Sequence, residues 1–243
     1  MYLSILPTYL CYLILVTTLY PILYNILNLF YPPFMNITPK HKKWYVVSNL
    51  LKSIFLCILT PPALYILWTI YFDNEWNVYV VKYMATIYAV LDTVSLYMVP
   101  KMQKNTIIHH WTVIGLYSIC TYYDFKVDSI SNLICVYAIW STMAFLVNFY
   151  LAYRVVRPTK TILLTICNIA FKIYLSCCLF NWSYQIYHIY KTFMYKGFLI
   201  PYVLYSFLLV NVIYDDCVLM NYLYNNSSLK KINMNFKFIK KLS

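Results

Sequence analysis

A pair of adjacent histidines, His109 and His110, lies in the stretch Ile107-Ile108-His109-His110-Trp111, and three carboxylates, Asp92, Asp215 and Asp216, interrupt other apolar runs. A neutral imidazole can take a proton from an attacking hydroxyl or amine near neutral pH, and a carboxylate beside it can orient the ring and stabilise its charged form. These residue types fit acyl transfer from a thioester, with His109 or His110 as the base and Asp92 as its orienter. The same His and Asp side chains are also zinc ligands, but their spacing does not demand an ion, and no metal is expected. Lys52 and Lys172 stand in apolar runs as well, where a flexible stem can carry the ammonium to a membrane interface. Lys52, Asn148, Asp215 and Asp216 are candidate contacts to a lipid or another substrate.

An ionisable side chain inside a bilayer costs about 2.5–3.5 kcal/mol on insertion scales, so each calls for a partner or a purpose. At a rise of 1.5 Å per residue, Asp92 and Lys52 lie about 10 Å in from the same ends of their runs, His109 and His110 about 8–9 Å, and Asp216 about 12 Å. A shared layer at that depth is what a pocket open to the cytosol requires. Adjacent helical residues point about 100° apart, so one histidine can line a cavity while the other braces a neighbouring helix.

The elements that must hold this layer are membrane helices. Of 243 residues, 63% are hydrophobic and 11% charged, against about 45–50% and 25% in soluble domains, which excludes a water-soluble globule. Seven apolar runs are long enough to span a bilayer: Leu3–Phe30, Tyr45–Tyr71, Val78–Val99, Ile107–Tyr123, Ile130–Tyr153, Thr161–Tyr187 and Phe198–Tyr224. Two glycines, Gly115 and Gly197, cannot build a phosphate-cradling loop or a dinucleotide fingerprint. Four histidines are too few for a membrane di-iron oxygenase. The eight cysteines contain no C-x-x-C and read as packing residues.

The net charge of +12 does not form the stripe of a nucleic-acid binder; it sorts by loop. Lys40, Lys42, Lys43, Lys101, Lys104, Arg154, Arg157, Lys160 and the tail lysines Lys230, Lys231, Lys237, Lys240 and Lys241 fall at one set of helix ends, thirteen basic residues against three at the other. Short cytosolic loops retain Lys and Arg, so the odd-numbered loops and the C-terminus are expected in the cytosol. Trp44 and Trp76 flank the second run as an interface belt would.

Three stretches carry a likeness to a known family. Tyr88-Ala89-Val90-Leu91-Asp92, followed by Lys101 to Thr106 and by His109-His110-Trp111-Thr112, resembles the core of the TLC domain. Lys43-Trp44-Tyr45-Val46-Val47-Ser48 resembles its second-span entry, and Ser141-Thr142-Met143-Ala144-Phe145-Leu146-Val147-Asn148 its Ser-Thr-containing segment. The likeness runs from about Lys40 to Tyr224. It is closer to the short TLC-only members than to ceramide synthases, whose longer motif is resembled only at its start, by His109-His110 and Thr112, and has no downstream acidic counterpart in the fifth run. What the resemblance implies is an all-α, multi-pass bundle of about seven spans. It divides into a first span and loop (1–39), a TLC-like domain (40–224) and a basic cytosolic tail (225–243), in the endoplasmic reticulum or a related endomembrane. The implied function lies in lipid metabolism or membrane lipid composition: an acyltransferase with acyl-CoA as co-substrate and no bound cofactor, and membrane lipids as partners. A non-enzymatic lipid-binding, sensing or trafficking protein is the alternative. A transporter relaying protons through Asp92, Asp215 and Asp216 comes third, because visible repeats and glycine-broken helices are lacking.

Overall fold

The computed structural model describes residues 5–156, 159–197 and 199–228. Leu3, Arg157, Phe198 and the tail lysines Lys230, Lys231, Lys237, Lys240 and Lys241, all used above, lie outside them. Every regular element among the described residues is helical: α1 (Ile5–Phe30), the single turn α2 (Pro32–Met35), α3 (His41–Asp73), α4 (Val78–Met98), α5 (Lys104–Tyr122), α6 (Ser131–Ser141), α7 (Phe145–Tyr153), α8 (Lys160–Lys196) and α9 (Ile200–Asn226). Five stretches are long and apolar enough to cross a membrane: α1, α3, the combined α6 and α7 stretch Ser131–Val156, Lys160–Tyr195 of α8, and α9. Large apolar side chains such as Ile14, Phe30, Trp68 and Phe207 cover their outer faces. An exposed apolar surface of that extent is the mark of a membrane-embedded bundle, and the protein is an integral membrane protein.

The remaining two runs, α4 and α5, are helices of 21 and 19 residues. Their hydropathy is diluted by Lys82 and Asp92 in one and by Lys104, His109 and His110 in the other. These two helices are central to the packing: α4 lies against α1, α3, α5 and α6, and α5 against α4, α6 and α9. The inner faces of these two helices therefore pack on more apolar ones, where a polar group can find a protein partner instead of lipid.

Contacts between helix ends fix which ends coincide. At one end, Lys43 Nζ donates to Asn28 Oδ1 at 2.9 Å, joining the start of α3 to the end of α1. Arg154, just past α7, donates there to Tyr45 of α3 and Tyr222 of α9. At the other end, Lys82 pairs with Asp124 at 2.8 Å, and Trp76 Nε1 donates to the Phe125 carbonyl at 3.0 Å. Trp76 is buried, so this tryptophan is a tertiary staple between loops rather than an interface anchor; its neighbour Asn77 caps α4 through the Tyr79 and Val80 amides. Trp44 stacks on Tyr24 with ring centroids 4.7 Å apart.

One element departs from a plain helix in a way that shapes the site. Between α6 and α7 the chain tightens into a 3-10 turn at Thr142–Ala144, which disturbs the regular ladder of backbone bonds. The carbonyl of Phe145 accepts from Ser53 Oγ of α3 at 2.8 Å, and that of Thr142 from Thr60 Oγ1 at 3.5 Å. Hydroxyls from a neighbouring helix thus satisfy carbonyls at the break, as a low-dielectric setting requires. Helix α1 runs through Pro21, and α3 through Pro61 and Pro62.

Candidate functional site

Asp92 has no solvent exposure. Its Oδ1 meets side chains from two helices: Lys52 Nζ of α3, in a direct ion pair, and the imidazole Nδ1 of His110 of α5 at 3.0 Å. Lys52 is therefore not extended to an interface. It turns inward and neutralises the carboxylate, which is the arrangement that makes a buried charge tolerable. Lys172, by contrast, lies exposed on α8, as a stem reaching along the surface would.

His109 faces a different partner. Its Nδ1 lies 3.1 Å from Asp215 Oδ2 of α9, and its ring stands 5.7 Å from that of His110 at an angle of 76°. The two rings diverge because consecutive residues on α5 point to different sectors of the helix, one toward α9 and the other toward α4 and α3. Neither contact is aligned as a hydrogen bond, and both Nδ1 atoms and Asp92 Oδ2 are buried without an acceptor or donor among the described residues. The layer thus holds three polar atoms with unused capacity.

Beside the layer runs a crevice between α4, α5, α6 and α9. It has about 540 Å³ of atom-free space, counted out to its open mouth. Its walls include Tyr88, His109, Tyr137, Ser141 and Val212, and it extends along α5 to Leu116 and Cys120. His109 belongs to this lining and His110 does not. The crevice is largely apolar with a few convergent polar groups, the composition common in small-ligand sites.

Asp216, next in sequence to Asp215, points elsewhere. Its carboxylate accepts from the hydroxyls of Tyr137 on α6 and Tyr174 on α8, the latter at 2.6 Å. Trp182 Nε1 reaches Tyr137 Oη at 3.4 Å. Asp216 is buried and ties three helices together, so its contacts are those of a brace behind the crevice wall. Asn148 is not brought to the layer: its Nδ2 donates to the Ala144 carbonyl one turn back on its own helix at 3.0 Å. Sequence reasoning singled out neither Tyr137 nor Tyr174. With 29 tyrosines in the chain, only the fold distinguishes the two that close on Asp216.

Asp92, His109 and His110 can each offer one donor atom within 4.8 Å of the others. Two imidazoles and a carboxylate are a common ligand set, yet the ammonium of Lys52 already sits on this carboxylate. An ion bound there would share the carboxylate with this ammonium.

The chain matches no model of a known protein family, no curated protein and no solved structure. Its own geometry must therefore carry the functional argument.

Proposed function

We propose that this protein is a multi-pass membrane acyltransferase of TLC-like type, with seven spans, working on membrane lipids with acyl-CoA as the acyl donor. The observation that carries this reading is the division of labour between the histidines: His109 lines the crevice and is paired with Asp215, while His110 is locked with Asp92 and Lys52. With Nδ1 turned to Asp215, Nε2 of His109 is the nitrogen left to take a proton. In the reaction, His109 removes the proton from the hydroxyl or amine of the acceptor, and the acceptor's oxygen or nitrogen attacks the thioester carbonyl. As the tetrahedral intermediate collapses, the carbon–sulfur bond breaks and the thiolate leaves with the proton that His109 had taken. Asp215 stabilises the imidazolium formed between these steps. The apolar crevice suits the acyl chain. The charge bias of the loops supports an orientation with this end of the bundle in the cytosol, in the endoplasmic reticulum or a related endomembrane, where acyl-CoA is available.

The Lys52, Asp92 and His110 cluster favours one other reading, in which the polar layer is a structural staple and the crevice binds or senses a lipid without chemistry. Transfer measured with purified protein, a long-chain acyl-CoA and a mixed lipid acceptor separates the two. His109→Ala abolishes transfer in the first case. In the second no transfer occurs with either protein, and lipid binding persists in both.

A further inference from the structure

Arg154 follows α7 in a 3-10 turn, Arg154–Val156, at the end of the bundle where α3 begins and α9 finishes. Its guanidinium carries five N–H donors and a permanent charge. Nη1 donates to Tyr222 Oη and Nη2 to Tyr45 Oη, the second at 3.2 Å. The same two rings flank the cation, with guanidinium-to-centroid distances of 4.7 Å for Tyr222 and 6.0 Å for Tyr45. Both partners are neutral phenols. Nε is buried without an acceptor, and the four ion pairs among the described residues use other cations.

Arg154 is half-buried, held on two sides, and paired with no carboxylate among the described residues. Arginine is also the side chain whose planar fork best matches the oxygens of a phosphate. The tyrosines fix its orientation and leave the remaining donors for a ligand. Tyr45 precedes Lys52 by seven residues on α3, and Tyr222 follows Asp215 by seven on α9, so Arg154 stands about 10 Å along the helices from the histidine layer.

We propose that Arg154, clamped between Tyr45 and Tyr222, anchors a phosphate-bearing anion at this end of the bundle, supplied by a phospholipid headgroup or by the nucleotide carrier of an acyl thioester. The anchor rests on the geometry around Arg154. It adds a substrate-holding group to the acyl-transfer reading without depending on that chemistry, since what it predicts is binding.

The test uses the full chain purified in a maltoside detergent and three probes: dihexanoyl phosphatidic acid, free coenzyme A and, as a neutral control, dihexanoyl glycerol. Affinity is read by calorimetry and by native mass spectrometry. The wild type binds at least one phosphate probe more tightly than the neutral control. Arg154→Gln weakens that binding by about tenfold or more, the loss expected for hydrogen bonds to a charged group. Arg154→Lys keeps the charge but not the fork, and falls between the two; it also gives the answer if Arg154→Gln does not fold. Binding of phosphatidic acid alone assigns the site to a lipid headgroup, and displacement of that lipid by coenzyme A assigns it to the carrier. Equal affinity of the wild type for phosphate and neutral probes, or unchanged affinity in both folded variants, overturns the proposal. Wild-type protein that binds a phosphate probe but shows no acyl transfer keeps the anchor and loses the chemistry, so the two fail or survive separately.

Discussion

Asp92 has no exposure, and one of its oxygens meets both the Lys52 ammonium and the His110 ring. Removing its charge alone strands the Lys52 ammonium among helices, and breaking a buried pair in this way costs about 3–5 kcal/mol. Asp92→Asn is therefore expected to lower the melting temperature of the detergent-solubilised protein markedly, and Lys52→Met combined with Asp92→Leu to recover most of the loss; equal melting of all three proteins would mean that the pair carries no such weight. Asp215 is in a different position, because its partner His109 lines the crevice and both are partly exposed. Asp215→Asn is expected to reduce acyl transfer by about tenfold or more with little change in melting. A loss of stability without a specific loss of turnover would instead make it another brace.

At the scale of elements, the break between α6 and α7 is held by Ser53 and Thr60 of α3. Interhelical hydrogen bonds in membrane proteins are worth roughly 0.6 kcal/mol on average. Ser53→Ala should thus cost about that much in thermal or denaturant unfolding, and a cost several times larger would show that the turn itself depends on the bond. Helix positions were largely legible in the sequence, since the apolar runs that predict Val78–Val99 and Ile107–Tyr123 fold as α4 and α5, Val78–Met98 and Lys104–Tyr122. The break at Thr142–Ala144 was not, because no glycine or proline marks it and its stabilising hydroxyls come from a helix some 80–90 residues earlier. The pairing of Lys82 with Asp124 was hidden for the same reason: one partner sits in an apolar run and the other in a loop. For the candidate site, depths read along separate runs put Lys52, Asp92, His109, His110 and Asp216 in one layer; the fold joins Lys52 and His110 to Asp92, while Asp216 turns to Tyr137 and Tyr174 and the neighbouring Asp215 meets His109. Asn148 and Asp216 were legible as polar intrusions only, since the direction a side chain takes depends on neighbouring helices.

For the molecule as a whole, the question is whether α4 and α5 cross the membrane with the five more apolar stretches. Single cysteines introduced at Asn36, Glu75, Lys101 and Asp128, with the exposed Cys11 and Cys57 changed to Ala, report this through an impermeant thiol reagent applied to sealed vesicles. Seven crossings make Asn36 and Lys101 label from one face and Glu75 and Asp128 from the other. Labelling of Lys101 together with Glu75 would mean that the polar helices lie within the bundle without crossing. The same membranes carry the most direct test of the central claim, that His109 performs acyl transfer beside the apolar crevice. Lipid profiles of membranes containing the wild-type protein are compared with those containing His109→Ala at matched levels. The predicted result is an acylated lipid species that accumulates with the wild type and is absent with the variant; profiles that shift identically for both proteins would contradict it.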